Sequence, residues 1–203
     1  MLAADRLSAA KLRAAVGGHC TIGREIIVVD ETTSTNDVVL QMANGGAVEG
    51  LVVFAEHQTA GRGQRGNVWE SPAAKGLLCS ILLRPNVAVQ DSARLVDWAV
   101  KGIAWTVESG SHHKATIKAP NDVYIDGRKV GGVLVEMRAQ LNAPHLSVVG
   151  IGINVNQTSS HFPEELRDRA TSLAIVIGGP IDRNALALTL LRNLDQLYRA
   201  DFL

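Results

Sequence analysis

The stretch from Ala115 to Ile153 constrains the fold most. It holds four strand-like runs, Ala115 to Lys118, Val123 to Ile125, Lys129 to Met137 and Leu146 to Ile153, with no helical spacing between them. Asp126-Gly127 parts the second run from the third, a dipeptide suited to the positive φ of a tight hairpin. Strands joined this closely pair antiparallel, because a parallel crossover needs about a dozen residues or more. A regularly alternating, doubly wound nucleotide fold is therefore excluded.

The remaining runs complete the pattern. Asp5 to Val16 reads as a helix stopped by Gly17-Gly18, and Glu25 to Asp30 as a β-branched strand. Ser34 and Asp37 form a capping pattern ahead of a helix through Ala43. Leu51 to His57 and Gly76 to Leu83 read as strands on either side of an aperiodic segment, Gln58 to Lys75. Leu95, Val96, Ala99, Ile103 and Val107 have helical spacing, and Asp182 can cap a last helix carrying Leu186, Leu190, Leu194, Leu197 and Tyr198. The order α-β-α-β-β-α-β-β-β-β-α-α predicts an α+β fold: a mixed, largely antiparallel sheet with helices packed on one face. At 203 residues, one domain spanning 1–203 is expected, with 1–21 as an N-terminal helical extension.

Charge excludes some partners. Twenty Lys and Arg balance twenty Asp and Glu. That balance argues against a protein that binds nucleic acid over its whole surface or a polybasic membrane protein, and neither partner is expected. No apolar run nears the roughly 18 residues of a spanning helix. The N-terminal MLAADRLSAAKLRAAV has no apolar secretion core. Cys20 and Cys79 have neither metal nor disulfide spacing, so they read as packed thiols in a reducing, cytoplasmic setting.

Five segments carry chemistry. Gly61 to Trp69 interleaves three glycines with Arg62 and Arg65. Glycine lets backbone N–H groups approach an anion, arginine adds a fork of donors, and Trp69 offers a stacking face. No G-K-[ST] follows, so this is not a P-loop. Asn121 and Asp122 place an amide and a carboxylate beyond Pro120, where Asp122 could hold Mg²⁺. Lys129 enters an apolar strand before Gly131-Gly132, and an inward ammonium there must meet an anion. Gly150, Gly152 and Asn154 share one strand face by alternation. Ser34-Thr35-Asn36 supplies two hydroxyls and an amide. Taken singly, these segments also fit a surface loop, a Pro-Asn-Asp turn, a solvated hairpin lysine, a small-residue stripe under a helix, and a helix cap.

Together they resemble the catalytic domain of the biotin protein ligases. The motifs stand in that family's order: S-T-N at 34–36, A-E-H-Q-T-A-G-R-G from Ala55 to Gly63, N-V-W at 67–69, P-N-D at 120–122, R-K-V-G-G at 128–132 and G-I-G-I-N at 150–154. The resemblance runs from about Ile22 to the C-terminal helix. It implies an ATP-dependent ligase that makes biotinyl-5′-AMP and passes biotin to a lysine of a biotin carboxyl carrier protein domain. It implies Ser34, Thr35, Asn36, Gln58, Arg62, Gly63, Gln64, Lys129 and Gly132 for biotin, with Lys129 and Arg62 acting in catalysis. It implies Asn67, Trp69, Asn121, Asp122 and Asn154 for ATP, and Asp122 for Mg²⁺. Strand residues near Val52, Val133 and Val135 are expected to wall the biotin pocket.

Departures from the family pattern set further expectations. Gln64 stands where many members have Arg, which removes a donor fork from the adenylate side. Ala119 stands where Trp is usual and predicts a cavity. Leu78 and Cys79 replace a common aromatic. Only some twenty residues precede the first strand, so no winged-helix DNA-binding domain is expected, and the sequence stops at a helix, so no C-terminal β-barrel is expected either. Exposed sheet edges suggest a homodimer. A lipoate ligase would show R-R-x-x-G-G-G-x-V-x-H-D, which is absent here. A non-catalytic biotin or biotinyl-AMP binder is the remaining alternative.

Overall fold

The computed structural model describes residues 5–140 and 144–203. Seven strands form one sheet: β1 (Glu25–Thr32), β2 (Leu51–Gln58), β3 (Gly76–Leu83), β4 (Thr116–Lys118), β5 (Asp122–Ile125), β6 (Arg128–Arg138) and β7 (Leu146–Asn154). Their spatial order is β1-β2-β3-β7-β6-β5-β4. Among the described strands only β1 and β2 pair in parallel, through the crossover helix α2 (Thr35–Asn44). The expected Asp126-Gly127 hairpin joins β5 to β6, with φ of 48° and 74° at its two residues.

Alternation sorts the strands onto two faces. Val52, Phe54, Cys79, Ile81, Val149, Ile151 and Val133 point one way, into a core closed by α1 (Ala9–Val16), α3 (Ala93–Ser111) and α5 (Arg183–Phe202). The short α4 (Leu173–Ile177) adds Leu173 to it. Trp98 is fully buried there, stacks edge-on to Tyr198 and donates its indole N–H to the Leu194 carbonyl. Most of the helices thus share one face, as expected. Helix α2 lies on the other, where Val39 and Ala43 pack on Leu51, Val53, Leu82 and Val148. This helix covers only part of its face and leaves a stretch of β3, β7 and β6 open.

The N-terminal segment is tied in through a buried charge. Arg183 is fully buried; its Nη2 lies 2.7 Å from Glu56 Oε2 and donates to the Asp5 carbonyl, and its Nη1 donates to the Gly76 carbonyl at 3.1 Å. The helix expected from Asp5 begins only at Ala9, where Ser8 caps it by accepting from the Lys11 amide. Cys79 is buried, which pushes its thiol up to about 12, whereas Cys20 is only half-buried with its thiol directed to the Gly17 carbonyl. Ala119 lies exposed beyond β4, so its small side chain leaves a bare rim and not the cavity expected.

Candidate active site

The open part of the sheet forms a floor. Leu78, Gly152, Gly132 and Asp122 pair across it in one row, and Ser80, Gly150 and Leu134 in the next. Two glycines are needed for close approach from above. A methyl at Gly150 would stand 2.4 Å from Asn36 Oδ1, and one at Gly152 would stand 2.5 Å from Trp69 Cε2. Val52 and Val135 instead pack on the opposite face, so they do not wall this site. Expecting them here misread which parity of the strands faces the cavity.

The start of α2 overhangs the floor. Ser34 occupies the N-cap position with extended backbone, but its hydroxyl makes no capping bond. The expected capping pattern fails, which leaves that buried hydroxyl available to a ligand. The Thr35 amide and hydroxyl both donate to Gln58 Oε1, at 2.7 and 3.0 Å. Ser80 Oγ, fully buried beneath, lies 2.6 Å from Thr35 Oγ1 and also contacts Asn36 Oδ1. Asn36 Nδ2 donates to Glu136. Two hydroxyl protons serve three of these contacts, so one acceptor is left for a ligand N–H. Ser80 and Glu136 escaped the sequence reading. Ser80 could have been found as the lone polar residue inside the run GLLCSILL.

The glycine-rich segment closes on itself as a tight loop. The Trp69 amide donates to the Gly61 carbonyl, and the Gly63 amide to the Asn67 carbonyl. A side chain at Gly61 would stand 2.4 Å from the Trp69 carbonyl oxygen. Arg62 forms a bidentate pair with Asp37 at 2.8 and 2.9 Å and reaches Glu136 at 3.3 Å. The hydrogen bonds from Arg62 hold the Asp37 carboxyl below its usual range, and those to Asp37 raise the guanidinium further. In this state Arg62 anchors the loop and its charge is spent on carboxylates.

Lys129 meets the anion its burial demands. Its Nζ lies 2.7 Å from Asp122 Oδ1 and 5.4 Å from the centroid of the Trp69 ring. The lysine backbone is fixed as well: its amide donates to the Arg169 carbonyl, and its carbonyl accepts from the Thr171 amide. Asn121 Nδ2 donates to the Val133 carbonyl, which sets the corner before β5. Asn154 is spent internally, donating to the Thr171 carbonyl and accepting from Gln157. Gln157 Oε1 and Trp69 Nε1 are buried without partners.

Two adjoining cavities result. The first, about 330 Å³, is lined by Ser34, Thr35, Asn36, Gln58, Arg62, Gly63, Gln64, Asn67, Trp69, Asn121, Asp122, Lys129 and Gly132. The second, about 890 Å³, lies beyond Trp69 and takes in Asn154, Gln157 and Arg169. Asn67, Trp69, Asp122 and Lys129 belong to both. Of the residues expected to bind biotin or ATP through their motifs, only Asn154 is absent from the first. Among the described residues no cluster of three or more His, Cys, Asp or Glu exists. That donor set fits Mg²⁺ held mainly by phosphates and water, with Asp122 the one carboxylate common to both cavities.

Residues 28–154 match the model of the biotin/lipoate A/B protein ligase family. The chain belongs to this family. The bifunctional ligase/repressor BirA of Bacillus subtilis is 38% identical over 178 residues, which cover 88% of this chain and 55% of BirA. The biotin–[acetyl-CoA-carboxylase] ligase of Mycobacterium tuberculosis is 34% identical over 187 residues, covering 85% and 63%. The chain thus spans little more than half the length of the curated relatives it matches. Among solved structures, Aquifex aeolicus biotin protein ligase in complex with biotin and ATP superposes with a TM-score of 0.73 at 32% identity, covering 87% of this chain and 71% of that one. In family terms, S-T-N lies at the start of α2, the glycine-rich loop follows β2, and the motif lysine opens β6.

Proposed function

We propose that this chain is the catalytic domain of a biotin protein ligase, which condenses biotin with ATP to biotinyl-5′-AMP and then biotinylates a lysine. The observation that carries this reading is the meeting of two unlike cavities at Lys129. The first, with its free Ser34 hydroxyl and an acceptor short of a proton, suits a cyclic urea that both accepts and donates hydrogen bonds. The second, larger one has an indole face and unpartnered buried polar atoms, and it suits a nucleotide.

Chemistry then follows from charge. A carboxylate and a triphosphate repel, and the reacting oxygen must reach the α-phosphorus while pyrophosphate leaves. Lys129, already beside Trp69 where the cavities join, supplies positive charge where negative charge builds up. Asp122 and the ATP phosphates would hold Mg²⁺, which would supply further positive charge at the leaving pyrophosphate. Asp122 holds the ammonium in place until the anions arrive. Ser34, Thr35, Asn36 and Gln58 orient the urea ring, and the acyl chain runs past Gly132 toward Lys129. Gly63, whose own amide is held by Asn67, lets the loop come close to the carboxylate side, Gln64 offers its side-chain amide there, and Asn67, Trp69, Asn121 and Asn154 frame the nucleotide. In the second step the amine of the acceptor lysine attacks the anhydride carbonyl and AMP leaves.

The acceptor is a biotin carboxyl carrier protein domain, docked where the exposed β4 and Ala119 leave the first cavity open. A cytoplasmic location and a homodimer complete the proposal. The test is exchange of labelled pyrophosphate into ATP, with biotin and lipoate side by side. Biotin-dependent exchange is expected. Folded protein that exchanges with neither acid, or with lipoate alone, would sink the reading.

A further inference from the structure

The second cavity needs a cation that the residues considered so far do not supply. Its only lysine and arginine are Lys129 and Arg169. Lys129 is paired with Asp122, and Arg62, which belongs to the first cavity, is paired with Asp37 and Glu136. Arg169 is in none of the ion pairs found among the described residues, and its side chain is exposed. It lines both cavities. Glu70 and Glu165 also line the second cavity, so an anion entering there needs opposing charge.

The backbone places this arginine firmly. The Arg169 carbonyl accepts from the Lys129 amide at 2.8 Å, and Ala170 bridges Lys129 in parallel. The Arg169 and Ala170 amides both donate to the Leu166 carbonyl, at 3.0 and 2.8 Å. One residue on, the Thr171 carbonyl is held by Asn154, which Gln157 holds in turn. The guanidinium therefore swings from a fixed point next to the reacting lysine. At Gln64, by contrast, the glycine-rich loop offers an amide and no charge, and the neighbouring Arg65 lines the first cavity and not the second.

We propose that Arg169 binds the polyphosphate of ATP and is the phosphate fork of this enzyme. The inference rests on the adenylate-forming reading above. Lys129 then serves the carboxylate and α-phosphate, while Arg169 holds the leaving phosphates. Its planar fork suits two phosphate oxygens at once.

The test compares wild type, Arg169→Ala and Arg169→Lys by pyrophosphate exchange and by calorimetric titration with Mg·ATP and with biotin. Arg169→Ala should raise the KM and Kd for Mg·ATP about tenfold or more and leave the biotin Kd within twofold. Arg169→Lys should recover part of the loss, because it keeps the charge without the fork. An unchanged Mg·ATP affinity in Arg169→Ala overturns the inference. Equal weakening of biotin also overturns it, because that marks a distorted Lys129 segment. Wild type that exchanges nothing yet binds Mg·ATP through Arg169 would refute the ligase reading alone.

Discussion

Gly150→Ala asks whether the first cavity is a rigid template. The new methyl would stand 2.4 Å from Asn36 Oδ1 and 3.2 Å from its Cγ, roughly an ångström inside ordinary contact. Asn36 has nowhere to go: Ser80 holds its Oδ1, Glu136 holds its Nδ2, and its backbone lies in the first turn of α2. Either the helix shifts or these bonds break. Overpacking costs about 1–3 kcal/mol. The lost bond to Glu136 adds about 1.5 kcal/mol, at the low end for a charged partner because Glu136 is half-exposed. Removing a strand glycine returns about 0.5–1 kcal/mol. The net expectation is a loss of about 1.5–4 kcal/mol in urea unfolding and biotin binding at least tenfold weaker by calorimetry. Gly152→Ala, two residues on and facing the same way, collides as hard at 2.5 Å, but with an indole carried on a loop. It should cost under about 1 kcal/mol and weaken Mg·ATP instead. The reasoning fails if Gly150→Ala matches wild type in both assays, or if the two variants behave alike.

Other perturbations read other parts of the molecule. Lys129→Ala should abolish biotin-dependent exchange while circular dichroism stays native; near-normal turnover would show that the lysine has been misassigned. Arg183→Leu strands Glu56, whose side chain is only 8% exposed, and should cost about 3–5 kcal/mol in urea unfolding. Adding Glu56→Leu should restore most of this, and a single variant as stable as wild type would refute the buried-pair account. Asp37 has a lowered folded pKa, so its pairing contributes fully above the ordinary value of 3.8 and fades as pH falls through the folded value. The thermal stability gap between wild type and Asp37→Asn should therefore narrow only below about pH 4. A gap that is constant from pH 6 to 3 would remove the pair from the stability of the loop. Since both partners are half-exposed, the gap itself is small.

Periodicity exposed the strands and their order along the chain, though not their order across the sheet, because each strand is a short apolar run ended by strong turn residues. It did not show which parity of a strand faces which layer: Val52 and Val53 are the same residue side by side, yet the first packs in the core of α1, α3 and α5 and the second under α2. Helix α2 on the second face was equally hidden, since an amphipathic stripe names no partner layer. The motif residues were visible as chemistry before they were visible as geometry. The Arg62–Asp37 pair, the failed cap at Ser34 and the isolated charge of Arg169 depend on contacts between distant segments, and local sequence does not encode them. Ala119 shows the same limit, because a missing aromatic leaves a hole only where something once enclosed it.

The pairing of β3 with β7 sets a delay on the life of every new copy. Ser80 meets Gly150, so about seventy residues separate the two halves of the cavity floor. At roughly 5–20 residues per second of synthesis, GLLCSILL waits on the order of 4–14 seconds for its second neighbour. During that interval one of its edges has no partner strand, and its apolar side chains have no β7 beside them. Local hairpins such as β5–β6 form without such a wait. The floor of the site is thus completed only once β7 has been made, from strands that the ribosome delivers far apart.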